Sequence, residues 1–232
     1  MKSYYSVRES WDKRLIKNHV HPQWVHILNK EYCDLMMEQN RIFSVESAKA
    51  LSSIQKDLFS HFDFDFKGKM DYKEAQDYMD VWPKFRGCFG VINEKIKTIF
   101  EDLNISKGEY ILHPIDIEGV EDNYYLMFIF QVPISNIILS SSVYCCKPQP
   151  EIEYILKTHD QFYDGGLECI CPKLIALDKD YSNFDILRIE SCWYTYFSER
   201  LVKKLKHNKI VGLEYTAPGV YERDVIATLS FE

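Results

Sequence analysis

The sequence predicts a mixed α+β fold, a mainly antiparallel sheet with flanking helices and two related strand-helix-strand modules. Three observations carry that expectation. Apolar residues at three- and four-residue spacing mark short helices, and short apolar runs bounded by turn residues mark strands. One strand-helix-strand pattern also occurs twice. Hydrophobic residues make up 46% and charged residues 27% of the 232, the balance of a globular chain rather than a disordered one. With 28 Lys+Arg against 35 Asp+Glu the formal net charge is -7, which disfavours a nucleic-acid partner.

The first forty residues have weak periodicity, with one short helix expected from Gln23 to Gln39. From Ser44 the pattern sharpens. Val45, Ala48, Leu51, Ile54 and Leu58 share one helical face, and Ser44 can cap the first turn. His61 to Phe66 then alternates, placing three Phe on one face and His61, Asp63 and Asp65 on the other, as a half-buried strand does. Residues 1–85 are therefore expected to pack as helices and a strand on an α+β domain of residues 86–232, giving one compact unit.

The internal echo is the most informative feature. Phe89 to Pro114 and Thr195 to Pro218 match, their motif residues 105 residues apart (Asn93 to Ser198). Each has a capping residue (Asn93, Ser198), then Glu and a base (Glu94-Lys95, Glu199-Arg200), then a short helix. A polar break and a strand bearing Glu-Tyr (Glu109-Tyr110, Glu214-Tyr215) follow. The cap side chain can accept a first-turn N–H, and the adjacent acid favours the positive end of the helix. Between the copies, Ile111 to Glu118, Tyr124 to Val132 and Ile137 to Val143 read as a strand meander. Cys145 to Gly166 reads as a short helix between turns, Ile170 to Leu177 and Phe184 to Ile189 as strands, and the terminal TLSFE as an edge strand.

No apolar run approaches membrane-spanning length; the longest, Tyr124 to Val132, suits a buried strand. The opening MKSYYSVRESWDKR has no apolar core after its charge, and seven scattered Cys suit reduced thiols, so a cytoplasmic location is expected. No metal site is expected. His19, His21 and His26 cluster, and Cys169-x-Cys171 follows Cys145-Cys146, but structural zinc sites favour a two-residue spacing, and these Cys pack as easily as they ligate. A Cys–His nucleophile would draw on His113 or His159 with Cys88 or Cys192. Carboxylate pairs occur at Asp63/Asp65, Asp116/Glu118, Glu121/Asp122 and Asp178/Asp180. Phosphate-binding glycine loops, GxSxG, HExxH and a calcium loop are missing from the sequence.

Several short segments together resemble a known family. They are Asn93-Glu94-Lys95, Pro114, Tyr124-Tyr125, Asp180 with Ser182, Leu187-Arg188-Ile189, Ser198-Glu199-Arg200-Leu201 and Gly212-Leu213-Glu214-Tyr215. From Phe89 to Pro218 the chain resembles the domain of immunity proteins in bacterial polymorphic toxin systems. Asn93 stands where that pattern has Ser, and Leu187 where it has Phe. The resemblance implies a cytoplasmic antidote, not an enzyme and without cofactors, that neutralises a cognate toxin domain by protein–protein interaction. A basic toxin would be met by acidic residues, for which Asp116, Glu118, Glu121 and Asp122 are the candidates. The alternatives are a small cytoplasmic hydrolase using a Cys–His or carboxylate pair, and a small-ligand-binding domain. Neither nucleic acid nor membrane is an expected partner.

Overall fold

The computed structural model describes residues 2–10, 23–35, 65–71, 74–84, 87–146, 149–162, 170–189, 194–221 and 224–232. The expected helix opening at Ser44, the alternation from His61 to Phe64, and His19, His21, Cys169 and Cys192 lie outside these residues. Strand dominates what is described, and the expectation of a helix-flanked α+β sheet is corrected: the architecture is mostly β, with several sheets including a closed six-stranded barrel. Among the described residues no helix is long and apolar enough to cross a membrane.

The chain opens with β1 (Tyr4–Glu9). It then builds the barrel from β2 (Trp24–Ile27), β3 (Phe66–Met70), β4 (Tyr78–Trp82), β5 (Cys88–Asn93), β6 (Tyr110–Ile117) and β7 (Tyr124–Ile129). Helix α1 (Glu94–Asp102) joins β5 to β6. Next come β8 (Gln131–Val132), β9 (Val143–Cys146), β10 (Gln149–Tyr154), β11 (Ile170–Leu177), β12 (Ile186–Ile189) and β13 (Thr195–Ser198). Helix α2 (Glu199–His207), β14 (Leu213–Thr216), β15 (Gly219–Tyr221), β16 (Asp224–Ile226) and β17 (Thr228–Phe231) follow.

Two compact units result. One comprises Met1–Val7, Gln131–Val202 and Tyr215–Glu232; the other comprises Arg8–Phe130 and Lys203–Glu214. The second holds the barrel, in the closed order β2-β3-β6-β7-β5-β4. Two of its seams are parallel pairings between strands distant in sequence, β3 with β6 and β2 with β4. Val25, Phe66, Val81, Val91, Leu126 and Phe128 fill the interior, each stabilising by about 1.5–3 kcal/mol when fully buried. The walls close tightly. A Cβ on Gly90 would lie 2.5 Å from a ring carbon of Tyr78 and 2.7 Å from the Met79 carbonyl oxygen, so only glycine lets β4 and β5 approach this far.

The first unit carries a four-stranded sheet in the order β10-β9-β11-β17 and the hairpin β15-β16. A five-stranded sheet runs β14-β1-β13-β12-β8. Val132, Ile175, Leu177, Leu187, Ile189, Tyr196 and Leu229 form the apolar core of this unit.

The echo at 105 residues is a duplication of structure. In the barrel, β7, β5, β4 and β2 are successive neighbours, joined by antiparallel, antiparallel and parallel pairings. In the five-stranded sheet, β1, β13, β12 and β8 repeat that sequence of pairings. Strand β1 thus takes in its sheet the position that β7 takes in the barrel. The helix ends repeat as well. Asn104 and Lys209 are left-handed (φ 52° and 53°), and the following residue's N–H reaches back to a buried turn, Ile105 to the Phe100 carbonyl at 3.0 Å and Ile210 to the Leu205 carbonyl at 3.2 Å. Both are Schellman closures.

Local expectations fare unevenly. Ile170 to Leu177 is a strand with the expected limits, and TLSFE supplies β17. The helix expected from Gln23 to Gln39 is corrected: residues 24–27 are a barrel strand and only residues 30–35 are helical among those described. Within Ile137 to Val143 the expected strand is corrected: Leu139–Ser141 is a 3-10 turn, Ile137 makes only an isolated antiparallel bridge to Leu177, and Val143 begins β9. The helix expected within Cys145 to Gly166 is the edge strand β10, followed by a 3-10 turn.

Candidate functional site

The β6–β7 hairpin gathers the acidic candidates. Along β6 the pleat turns Ile115 and Ile117 into the core and leaves Asp116 exposed. Glu118 follows at the strand end, Gly119 turns with φ 75°, and Glu121 and Asp122 precede the buried Tyr124 that begins β7. Asp116, Glu118, Glu121 and Asp122 are all exposed at this one end of the hairpin. Two bases of β3 run beside them: Lys67 is the register partner of Asp116, and the Lys69 ammonium lies 4.0 Å from a Glu118 carboxylate oxygen. They offset the inner pair of acids and leave Glu121 and Asp122 the least compensated. The local field is registered by Tyr124, whose phenol is pushed up to about 12 by burial first and then by the Asp122 and Asp77 charges. Its hydroxyl donates to the Gln76 carbonyl at 3.1 Å.

The motif residues of the two modules converge on two aspartates that sequence reasoning did not single out. In the first unit Asp185, 1% exposed, accepts from the Ser198 hydroxyl and from both Nε and Nη2 of Arg200, with the Lys2 ammonium 3.3 Å away. Burial pushes its carboxyl up, but the hydrogen bonds from Arg200 and Ser198 and the charges of Lys2 and Arg200 outweigh that and hold it below the ordinary aspartate value. Ser198 in turn accepts from the Leu201 N–H at 3.4 Å, capping α2. In the barrel unit Asp77 accepts from the Asn93 amide at 2.7 Å and from the Val211 N–H at 2.8 Å, with Lys95 at 3.5 Å, while Asn93 accepts from the Ile96 N–H at 3.2 Å. The same device therefore occurs twice: an acid outside the helix grips the cap and the base two residues beyond it. The available signal was the pair cap-Glu-base, whose base had no helical partner to explain it.

Other motif positions are also built into the fold. Tyr125 donates to Glu94, whose carboxyl is held low first by Lys97 and then by this phenol. Leu187 and Ile189 are core residues. The candidate histidines occupy structural settings. The His113 ring packs 5.5 Å from Phe66 and 5.8 Å from Phe128, centroid to centroid, and His159 Nε2 lies 3.2 Å from the Ile137 carbonyl oxygen. Cys88 is buried in the barrel core. Among the described residues no group of three or more His, Cys, Asp or Glu is placed to hold a metal ion. His26 instead pairs with Asp71 at 2.6 Å, and Asp178 caps the 3-10 turn through the Asp180 N–H at 3.0 Å.

No family model matches this chain. A search of curated proteins finds no match either. The motif residues quoted above serve in this structure as helix caps, as partners of Asp77 and Asp185, and as core side chains.

Proposed function

We propose that the protein is an immunity protein that neutralises a cognate bacterial toxin domain by binding it. The observation that carries this reading is the convergence of Asp116, Glu118, Glu121 and Asp122 on one exposed hairpin end. Acids clustered on a rigid β scaffold steer a basic partner at long range and cost little to present, since the barrel already fixes the hairpin. Affinity would come from exposed apolar anchors on the barrel. Trp82, 54% exposed and stacked on Trp24 at 6.0 Å, is the largest such side chain in the barrel unit among the described residues.

The test is a kinetic one. The neighbouring reading frame is read first, and the probe is the C-terminal domain of a large secreted protein if one is encoded there. Asp116→Asn, Glu118→Gln, Glu121→Gln and Asp122→Asn combined should lower its association rate about tenfold at low ionic strength, and the deficit should shrink as salt rises. A salt dependence identical to that of the parent removes the hairpin from the interface; failure of the parent chain to bind or protect against the domain removes the function.

A further inference from the structure

In the four-stranded sheet Cys145 of β9 stands directly opposite Cys171 of β11. Their sulfurs are 3.6 Å apart, and the Cys171 thiol also lies 3.6 Å from the Cys145 carbonyl oxygen. Residues directly opposed in an antiparallel ladder keep their Cα atoms about 4.5–5.5 Å apart, within the roughly 4.4–6.8 Å that a disulfide spans. Closing the bond therefore asks for side-chain rotation and leaves the ladder in register. Both strands are internal, β9 between β10 and β11 and β11 between β9 and β17, so the two thiols are held facing each other.

Access divides the labour between the sulfurs. Cys171 is partly exposed and Cys145 is buried. The other described cysteines lack this arrangement. Cys146 points to the opposite face of β9 from Cys145, Cys88 lies in the barrel core, and burial followed by the Asp34 charge pushes the Cys33 thiol up.

We propose that Cys145 and Cys171 form a dithiol–disulfide site that is oxidised by low-molecular-weight disulfides of the glutathione class. The Cys171 thiolate attacks one sulfur of the oxidant, forming a mixed disulfide and releasing one thiolate. The Cys145 thiolate then attacks the Cys171 sulfur and expels the second. Two protein thiols are oxidised, one disulfide is reduced to two thiols, and the two protons released by the cysteines balance the two thiolates. The site is independent of toxin binding.

Treatment of the reduced full-length chain with oxidised glutathione, an acid quench, alkylation and peptide mapping test it. The folded protein should yield joined peptides containing Cys145 and Cys171 and lose the mass of two hydrogens. Cys145→Ser should leave glutathione attached to Cys171, because the resolving thiol is gone, while Cys171→Ser should leave Cys145 unmodified. The parent chain oxidised in urea should spread glutathione over its seven cysteines instead, which separates native geometry from intrinsic reactivity without relying on either variant to fold. Oxidation of the folded parent that joins Cys171 to another cysteine, or joins none, overturns the assignment.

Discussion

Replacing Arg200 should destabilise the protein more than replacing the aspartate it holds, although Arg200 is the more exposed partner. Asp185 is 1% exposed and Arg200 52% in their side chains. In Asp185→Asn the freed guanidinium turns to water and the new amide oxygen still accepts from Ser198. The loss is then the charge assistance of the Arg200 bonds, about 1.5–2 kcal/mol. In Arg200→Met the carboxylate stays buried with only Ser198 and Lys2 to satisfy it. Breaking a buried pair from that side costs about 3–5 kcal/mol, and Lys2 at 3.3 Å brings the expectation to the lower end, about 3 kcal/mol. With a urea slope of about 2 kcal/mol per molar, the unfolding midpoints should fall by about 1 M and 1.5 M respectively.

Acid supplies the sign. In the parent the folded Asp185 value lies below the ordinary aspartate value of 3.8. Its stabilising contribution is therefore complete above about pH 4 and is lost as pH falls through the folded value. In Arg200→Met, burial acts with its largest opponent removed. The carboxyl rises from its parent value, the penalty applies above that raised value, and protonation relieves it on acidification. The gap between parent and Arg200→Met should consequently narrow as the solution is acidified toward the ordinary aspartate range. Urea unfolding followed by far-ultraviolet circular dichroism at several pH values reads both effects. An Arg200→Met protein no less stable than Asp185→Asn, or one whose deficit widens with acid, refutes the account of the buried acid.

Two further substitutions probe the backbone. Lys209 closes α2 with φ 53°, a conformation that side chains resist, so Lys209→Gly should raise stability by about 0.5–1 kcal/mol in the same urea assay; no gain would mean that its side chain contributes elsewhere. Gly212 has φ 102°, and a Cβ there would lie 2.2 Å from the Tyr78 carbonyl oxygen. Gly212→Ala should cost at least about 2 kcal/mol, measured by thermal or urea unfolding, and a neutral result would mean that the contact with β4 yields readily.

How far the molecule could be read from its residues depends on the range of the interactions concerned. Asn93 and Ser198 announce their helices because a cap bonds to an amide three residues away, and residues 170–177 announce a strand because they form a short apolar run between turns. The 105-residue echo was legible for the same reason, being made of local caps, stripes and turns. Ile137 to Val143 and the segment containing β10 misled the same reasoning, since apolar content and helical spacing say nothing of which neighbour will claim the backbone. Strand β10 is extended because β9 lies beside it, with Tyr154 opposite Tyr144.

The acids of the candidate surface were visible one by one, but a period-two pattern cannot say that β3 will lie parallel to β6 and set Lys67 and Lys69 against Asp116 and Glu118. Asp77 and Asp185 stayed hidden because their partners lie 16 and 13 residues along the chain. By itself the sequence determined α1 and α2, their caps, the strand near the centre of the chain's second half, the repeat and the acidic character. The tertiary structure alone decided that strands distant in sequence close a barrel, and that two aspartates and two thiols meet their partners. Chain entropy opposes those pairings until many form together, so no single segment encodes them.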